Sequence, residues 1–429
     1  MNHKLKPAAG NQAAKPALTP KLRFPEFRDV EGWKIDHLGQ AAEFVSERIQ
    51  LQKVKLENYI STENILPDFG GVVKASNLPT TGSVTRFRIN DVLISNIRPY
   101  LKKVWRSDKH GGASNDVIVV RARQALLEQF LPFILRNDAF IDYVMKGAKG
   151  VKMPRGDVSL MRQYPIGCPS PAEQQKIAEC LTTLDEVIAA QSQKLAALKT
   201  HKKGLMQQLF PREGETLPRL RFPEVQAAPE WGAKRIDERG NVLAGKALAV
   251  TAPGPLRPYL RTKNVLDGTI DLSDVLTMPM TDAEFSRFEI LDGDVLLNEG
   301  QSLELVGRTS IYRGQFSRRC AMQNQLLRFR ASSSTCPEFA AQAFRQCQKD
   351  GTFASVATQT TSVAHLGSSR FRALALTWPP SHAEQQRIAT CFTTLDDLIT
   401  AQSAKLSALK THKEGLMQQL FPSPEEVGA

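Results

Sequence analysis

The segment from Glu173 to Pro211 occurs twice: aligned without gaps on Glu384 to Pro422, it is identical at 30 of 39 positions. In both copies apolar residues recur at alternating spacings of four and three, which on an α-helix form one narrow stripe. The first stripe is Ile177, Leu181, Leu184, Ile188, Leu195, Leu198, Leu205 and Leu209, interrupted at Gln191 and Lys202. The second is Ile388, Phe392, Leu395, Ile399, Leu406, Leu409, Leu416 and Leu420, interrupted at the matching Gln402 and Lys413. Ser170, Pro171 and Glu173 supply an N-cap, a first-turn proline and a capping-box acid; Ser381 and Glu384 repeat the cap, and Pro211 and Pro422 stop both helices. The spacing predicts two rods of about 38 residues, each roughly 55 Å long.

A stripe this narrow needs a partner, and the simplest partner for each copy is the other. Two copies separated by a globular stretch are expected to pair antiparallel, bringing Gln191 and Gln402 within about one layer of each other so that their amides share hydrogen bonds. Cysteines placed at 177 and 416 would crosslink in that arrangement, whereas 177 and 388 would do so in a parallel one.

The duplication extends beyond the helices. "LRFPE" at 22 to 26, followed by Trp33, recurs as "LRFPE" at 220 to 224, followed by Trp231. "YISTENIL" at 59 matches "YLRTKNVL" at 259, "NDVLIS" at 90 matches "GDVLLN" at 293, and "NDVIVVRA" at 115 matches "NQLLRFRA" at 324. The boundaries that follow are a tail at 1–19, a block at 20–170, a helix at 171–211, a block at 212–380, a helix at 381–422 and a tail at 423–429. The runs "DVLIS", "VIVVRA", "DVLLN" and "QLLRFRA" read as buried strands, and 125–145 and 338–349 as helices. The expected fold is α+β: two mixed blocks and two long helices forming an antiparallel coiled coil, with an internal pseudo-twofold repeat. Trp33 and Trp231 read as core anchors at the repeat boundary.

The formal net charge is +12, and the surplus sits mainly in the blocks: 23 Lys and Arg against 16 Asp and Glu at 20–170, and 21 against 18 at 212–380. A polyanionic partner fits that distribution, with the near-neutral repeats free to contact protein. The opening residues form no apolar leader, and no run of about 18 apolar residues occurs, so a soluble cytoplasmic protein away from membranes is expected. Six cysteines without a CxxC pair argue against a disulfide framework or a zinc site. No metal and no cofactor of its own is expected.

Between matched strands the blocks diverge into "NIRPYLKKVWRSDKHGGAS" and "EGQSLELVGRTSIYRGQFSRRCAMQ". Reading a duplex requires Arg for guanine, Asn or Gln for adenine, and Lys or Arg on phosphate. Candidates of these types are Arg86, Arg88, Asn96, Arg98, Tyr100, Lys102 and Lys103 in the first block. In the second they are Asn298, Gln301, Arg308, Arg313, Gln323 and Asn324. Asn115 and Asn324 occupy equivalent places, which favours a structural role for that pair.

Catalytic patterns are weak. "GNVLAGKA" at 240–247 fits the first seven positions of a phosphate-binding loop, but Ala247 replaces the Mg²⁺-binding hydroxyl and "KRIDER" before it is no buried strand. "TWPPS" at 377–381 lacks the amide or acid of an adenine methyltransferase motif, and no D-x(n)-ExK nuclease cluster is present. The chain alone is expected to catalyse nothing.

The order of block, "EQQKIAECLTTLDEVIAAQSQKLAALKTHKKGLMQQLFP", block and matching helix closely resembles the DNA-specificity subunit of type I restriction-modification enzymes, across almost the whole chain. The resemblance implies two target recognition domains, each reading one half of a bipartite double-stranded DNA sequence, with the helix pair as the ruler between them. It further implies docking of two methyltransferase subunits, which bring S-adenosylmethionine, and of two ATP-dependent restriction subunits. An orphan subunit or adaptor supporting methylation only is the alternative.

Overall fold

The computed structural model describes residues 18–212, 214–247, 251–360 and 362–422. Its contacts divide the chain into two units: residues 1–192 with 405–429, and residues 193–404. Each unit therefore contains one block, half of one long helix and half of the other.

The long helices are α1 (Pro171–Leu209) and α2 (His382–Leu420), 39 residues each. In the first unit Ile177 and Leu181 of α1 share a core with Leu416, Met417 and Leu420 of α2. In the second, Leu205, Met206 and Leu209 of α1 share a core with Ile388, Phe392 and Leu395 of α2. The start of one helix thus packs on the end of the other in both units, which is the expected antiparallel coiled coil. Along the stripe Ile177, Leu181, Gln191, Leu195, Ile388 and Phe392 are buried, while Leu184, Ile188, Leu198, Leu395, Ile399, Gln402, Leu406 and Leu409 are half-buried.

The two lysines that interrupt the stripe are part of the joint. Lys413 Nζ donates to Asp185 at 2.6 Å, and Arg136 from the block reaches the same carboxylate at 3.6 Å. In the second unit Lys202 donates to Asp396 at 2.5 Å, and Arg345 donates to its other oxygen at 2.8 Å. Burial, with Arg345 beside it, pushes the Lys202 ammonium below its usual range. Burial alone would raise Asp396, but Arg345 and Lys202 outweigh it and hold the carboxyl below its ordinary value.

Glu173 corrects the expected capping box. Ser170 Oγ does accept the Glu173 N–H at 3.3 Å, but the Glu173 carboxylate does not reach back to the cap. It accepts from Arg23 Nε and Nη2, both at 2.8 Å, and from the Trp33 indole at 3.1 Å. Glu384 repeats this with Arg221 at 2.7 Å twice and Trp231 at 3.1 Å. The "EQQ" motif fastens helix to block further through the second residue. Gln174 accepts from Leu127 N–H and donates to Ala125 and Pro169 carbonyls, and Gln385 does the same with Cys336, Ser334 and Pro379.

Both tryptophans lie in the core as expected. Trp33 meets Phe130 and Phe421 edge-on at 6.5 Å, and those two phenylalanines stack at 5.4 Å. Trp231 meets Phe339 and Phe210, which also stack at 5.4 Å. Phe210 ends α1 and Phe421 ends α2, so the "QQLFP" of each helix packs on the block that the other helix starts from.

Each block is built on an antiparallel four-stranded sheet. In the first, β1 (Ala42–Phe44), β2 (Val92–Ser95), β3 (Val104–Arg106) and β4 (Val117–Ala122) lie in the order β1–β4–β2–β3. In the second, β5 (Gly240–Ala244), β6 (Val295–Asn298), β7 (Thr309–Ile311) and β8 (Leu326–Ala331) lie in the order β5–β8–β6–β7. The "DV" aspartates preceding β2 and β6 are buried and take bidentate pairs, Asp91 from Arg121 and Asp294 from Arg330, all four bonds at 2.7 Å. The helix expected over 125–145 is two helices, Leu131–Leu135 and Asp138–Lys146. Asn137 interrupts it by accepting from Ala139 N–H and capping the second. The divergent segments expected to be loops contribute β3 and β7, the outer strands of these sheets.

Candidate nucleic-acid interface

The polar candidates of the first block gather where β2 ends. Asn96, Arg98, Lys102 and Lys103 stand on the connection from β2 to β3, around the short turn Pro99–Leu101. Arg98 and Lys102 are both left-handed, at φ 51° and 52°, a conformation that costs non-glycine residues about 1 kcal/mol or more each. The turn is held from two sides. Asp68 and Phe69, also left-handed, donate to the carbonyls of Leu101 and Lys102 at 3.0 Å, and Arg98 N–H donates to Pro154 O at 2.8 Å.

Side chains here have partners that a polyanion would compete for. Lys102 pairs with Asp138 at 2.7 Å, and this hydrogen bond raises its pKa against the opposing effect of burial. Lys103 Nζ donates to Thr62 O at 2.6 Å. Tyr100 is exposed, at 48 %. Asn96 Oδ1 and Arg98 Nε are buried and have no partner among the described residues, so adenine-type recognition by Asn96 requires its side chain to turn.

The second block gathers its candidates at the equivalent end, beyond β6. Gln301 lies on the strand Gly300–Gln301, which pairs with Ala364–His365. Arg308 Nε donates to Val265 O at 3.0 Å, and Gln323 and Asn324 are half-buried with backbone N–H groups donating to Leu260 and Lys246 carbonyls. Asn298 is 0 % exposed and its amide donates to Val265 O, so in this conformation it supports the loop and cannot touch a base.

Three candidates lie elsewhere. Arg86 and Arg88 precede β2 and both pair with Glu47, at 2.9 and 3.0 Å, while Arg313 follows β7 and pairs with Glu338 at 2.7 Å. Arg86 lies on the strand Ser83–Phe87 of a separate sheet, while Arg88 and Arg313 stand at the opposite end of the four-stranded sheets from the other candidates. Asn115 is exposed and its Oδ1 accepts from Arg48 at 2.8 Å. Lys246, the lysine of the phosphate-loop pattern, is paired with Glu284, and its backbone bridges to Gln323, so the pattern forms no anion cradle.

Sequence reasoning missed the neighbour of the first cluster, the hairpin between Lys149 and Arg155, which lies outside the divergent segment it searched. Its signal was legible: in "KGAKGVKMPR" a basic residue recurs at every third position among glycine and proline. Arg155 pairs with Asp116 at 2.9 Å, and Ile97 bridges to Arg155 beside the candidate loop. Among the described residues no group of three or more His, Cys, Asp or Glu could hold a metal ion, and no helix is long and apolar enough to cross a membrane.

Residues 31–200 match the family described as the type I restriction modification DNA specificity domain. A Methanocaldococcus jannaschii protein described as a type I restriction enzyme MjaX specificity subunit is 22% identical over 165 residues, 38% of this chain and 39% of that one. The matched stretch therefore spans about two fifths of that relative. The fold is similar to a type I system S subunit from M. genitalium, with TM-score 0.61 at 15% identity over 94% of this chain and 99% of that one. A second similar chain comes from a structural study of complex assembly and conformational transition of the type I R-M system, with TM-score 0.54 at 18% identity over 91% and 97%. Residues 31–200 are thus similar to a type I restriction modification DNA specificity domain, and the fold of the chain is similar to that of the type I S subunit.

Proposed function

We infer that this chain is the sequence-reading subunit of a type I restriction-modification complex. In this reading residues 20–170 and 212–380 are target recognition domains, each contacting one half of a bipartite target in double-stranded DNA. The helices at 171–211 and 381–422 set the interval between half-sites and dock two methyltransferase subunits, with ATP-dependent restriction subunits joining them. The chain supplies recognition, and its partners supply S-adenosylmethionine chemistry.

The observation that carries this reading is the pairing of a duplicated framework with unlike polar ends. The Asp–Arg pairs, the Glu–Arg–Trp joints and the Lys–Asp–Arg joints repeat between units, whereas the residues beyond β2 and β6 differ in type. Two readers of different half-sites need that combination. Methylation mapping of DNA from cells carrying the chain and its methyltransferase partner tests it. A split motif with modified adenines in both halves is expected, and a continuous motif would overturn the bipartite reading. Binding by the purified complex should weaken steeply with salt, and Lys103→Ala should lower the log–log slope by about 0.9. Inserting four residues between Ala189 and Lys194 should lengthen the interval and leave the bases unchanged.

A further inference from the structure

Between the helices Asp138–Lys146 and Val158–Arg162 the chain makes a tight hairpin. Lys149 N–H donates to Arg155 O and Arg155 N–H to Lys149 O, both at 2.9 Å, with Gly150 at φ 100° entering the turn. Its root is locked to the candidate reading loop. Arg98 N–H donates to Pro154 O, and Gly156 N–H donates to Asn96 O at 3.1 Å. Gly156 packs so closely that a Cβ there would lie 2.5 Å from Met161 Cε and 2.9 Å from Asn96 Oδ1.

The tip has another character. Val151 is 104 % exposed and Met153 51 %, and no other large apolar side chain among the described residues is as exposed as Val151. Lys146, Lys149, Lys152 and Arg155 flank them along the sequence. Lys149 lies 3.6 Å from Asp157 and Arg155 pairs with Asp116, while Lys146 and Lys152 have no ion pair among the described residues. A rigid root, an apolar tip and flanking cations match the requirements of a duplex groove, where phosphates flank stacked bases that an apolar wedge can enter.

We propose that the Lys149–Arg155 hairpin is a DNA wedge: its cations rest on phosphates and Val151 with Met153 enters a base step. This rests on the first block reading DNA. The step lies beside the bases met by Asn96 to Lys103, and the selection it adds is for steps that unstack easily, such as TA or CA. The matching hairpin of the second block, Thr358–Gln359 with Ala364–His365, carries no Lys or Arg from 357 to 365, so the wedge serves one half-site.

The test uses the full chain with its methyltransferase partner and duplexes carrying 2-aminopurine at successive positions around the first half-site. Binding should raise fluorescence at one step. Val151→Ser with Met153→Ser should abolish that rise, weaken binding about tenfold and leave the salt slope unchanged. Lys149→Gln with Lys152→Gln should lower the slope by about 2. Both pairs are exposed, and an unchanged thermal melt would show that the fold is intact. Specific, salt-dependent binding with no fluorescence rise at any position overturns the wedge and leaves DNA reading standing. Loss reproduced by replacing thymine with uracil overturns it in favour of a methyl contact in the major groove. Failure of the serine variant to assemble with the methyltransferase, with DNA affinity intact, overturns it in favour of a protein contact. Absence of any salt-dependent binding by the wild-type complex removes the underlying reading itself.

Discussion

Lys102 in the first block and Gly307 in the second hold the same place, just before the residue whose carbonyl accepts the last N–H of β2 or β6. Both are left-handed, at φ 52° and 75°. The second block meets that demand with the residue that adopts it without penalty, and the first keeps a lysine there. The contrast is general: all five left-handed non-glycine residues among those described are in the first block, at Asp68, Phe69, Asn90, Arg98 and Lys102. A shared framework thus carries a strained, basic end in one unit and a relaxed, less charged end in the other.

The strongest way to break this comparison is to cut the part that the units share. Glu173→Ala strands a buried arginine and an indole N–H, and should cost about 3–5 kcal/mol in chemical denaturation. Glu384→Ala should match it, and a large difference between the two would show that the duplicated joints are unequal. Gly307→Ala should cost about 2–4 kcal/mol, because a Cβ at this left-handed position would also lie 2.3 Å from Phe353 Cδ2.

Asp396→Asn should cost about 1–3 kcal/mol, since it leaves Lys202 and Arg345 without their shared anion, although the carboxylate is 29% exposed. Its pH signature is fixed in sign. With the folded pKa held below the unfolded value near ~4, the contribution is complete above that value and lost as pH falls through the folded one. The variant should therefore show a shallower loss of stability on acidification, measured by melting from pH 6 to pH 2. Lys102→Gly should be more stable than Lys102→Ala by about 1 kcal/mol, and both should bind DNA with a lower salt slope. Arg387→Ala, which removes an exposed pair with Glu224, should leave the melt unchanged and serves as the control.

The framework was legible because its determinants are local or duplicated. The heptad spacing of Ile177 to Leu209 fixes a helix whatever surrounds it, and a closely matching copy names its partner. Other features depended on residues distant in sequence. Glu173 satisfies every rule for a capping box, and only the fold brings Arg23, 150 residues away, to take its carboxylate. Lys202 and Lys413 looked like interruptions because their aspartates lie 194 and 228 residues away. At the candidate interface residue type was a partial guide. Composition grouped Arg88 with Asn96, but a four-residue strand separates them to opposite ends of a sheet. Asn298 and Gln301 have similar chemistry, yet one is enclosed and the other half-buried.

Leu220 N–H donates to Gln208 O at 2.9 Å, where a short covalent link joins α1 to the second block. Leu22 N–H donates to Gln419 O at 3.0 Å in the same way, with no link between them. The same backbone bond therefore ties a block to a helix end in each unit, once beside a covalent link and once without one. Joining Pro422 to Leu18 through a copy of the peptide between α1 and Leu220, and cutting between Arg212 and Arg219, should give a permuted chain that folds as before and begins with the other block.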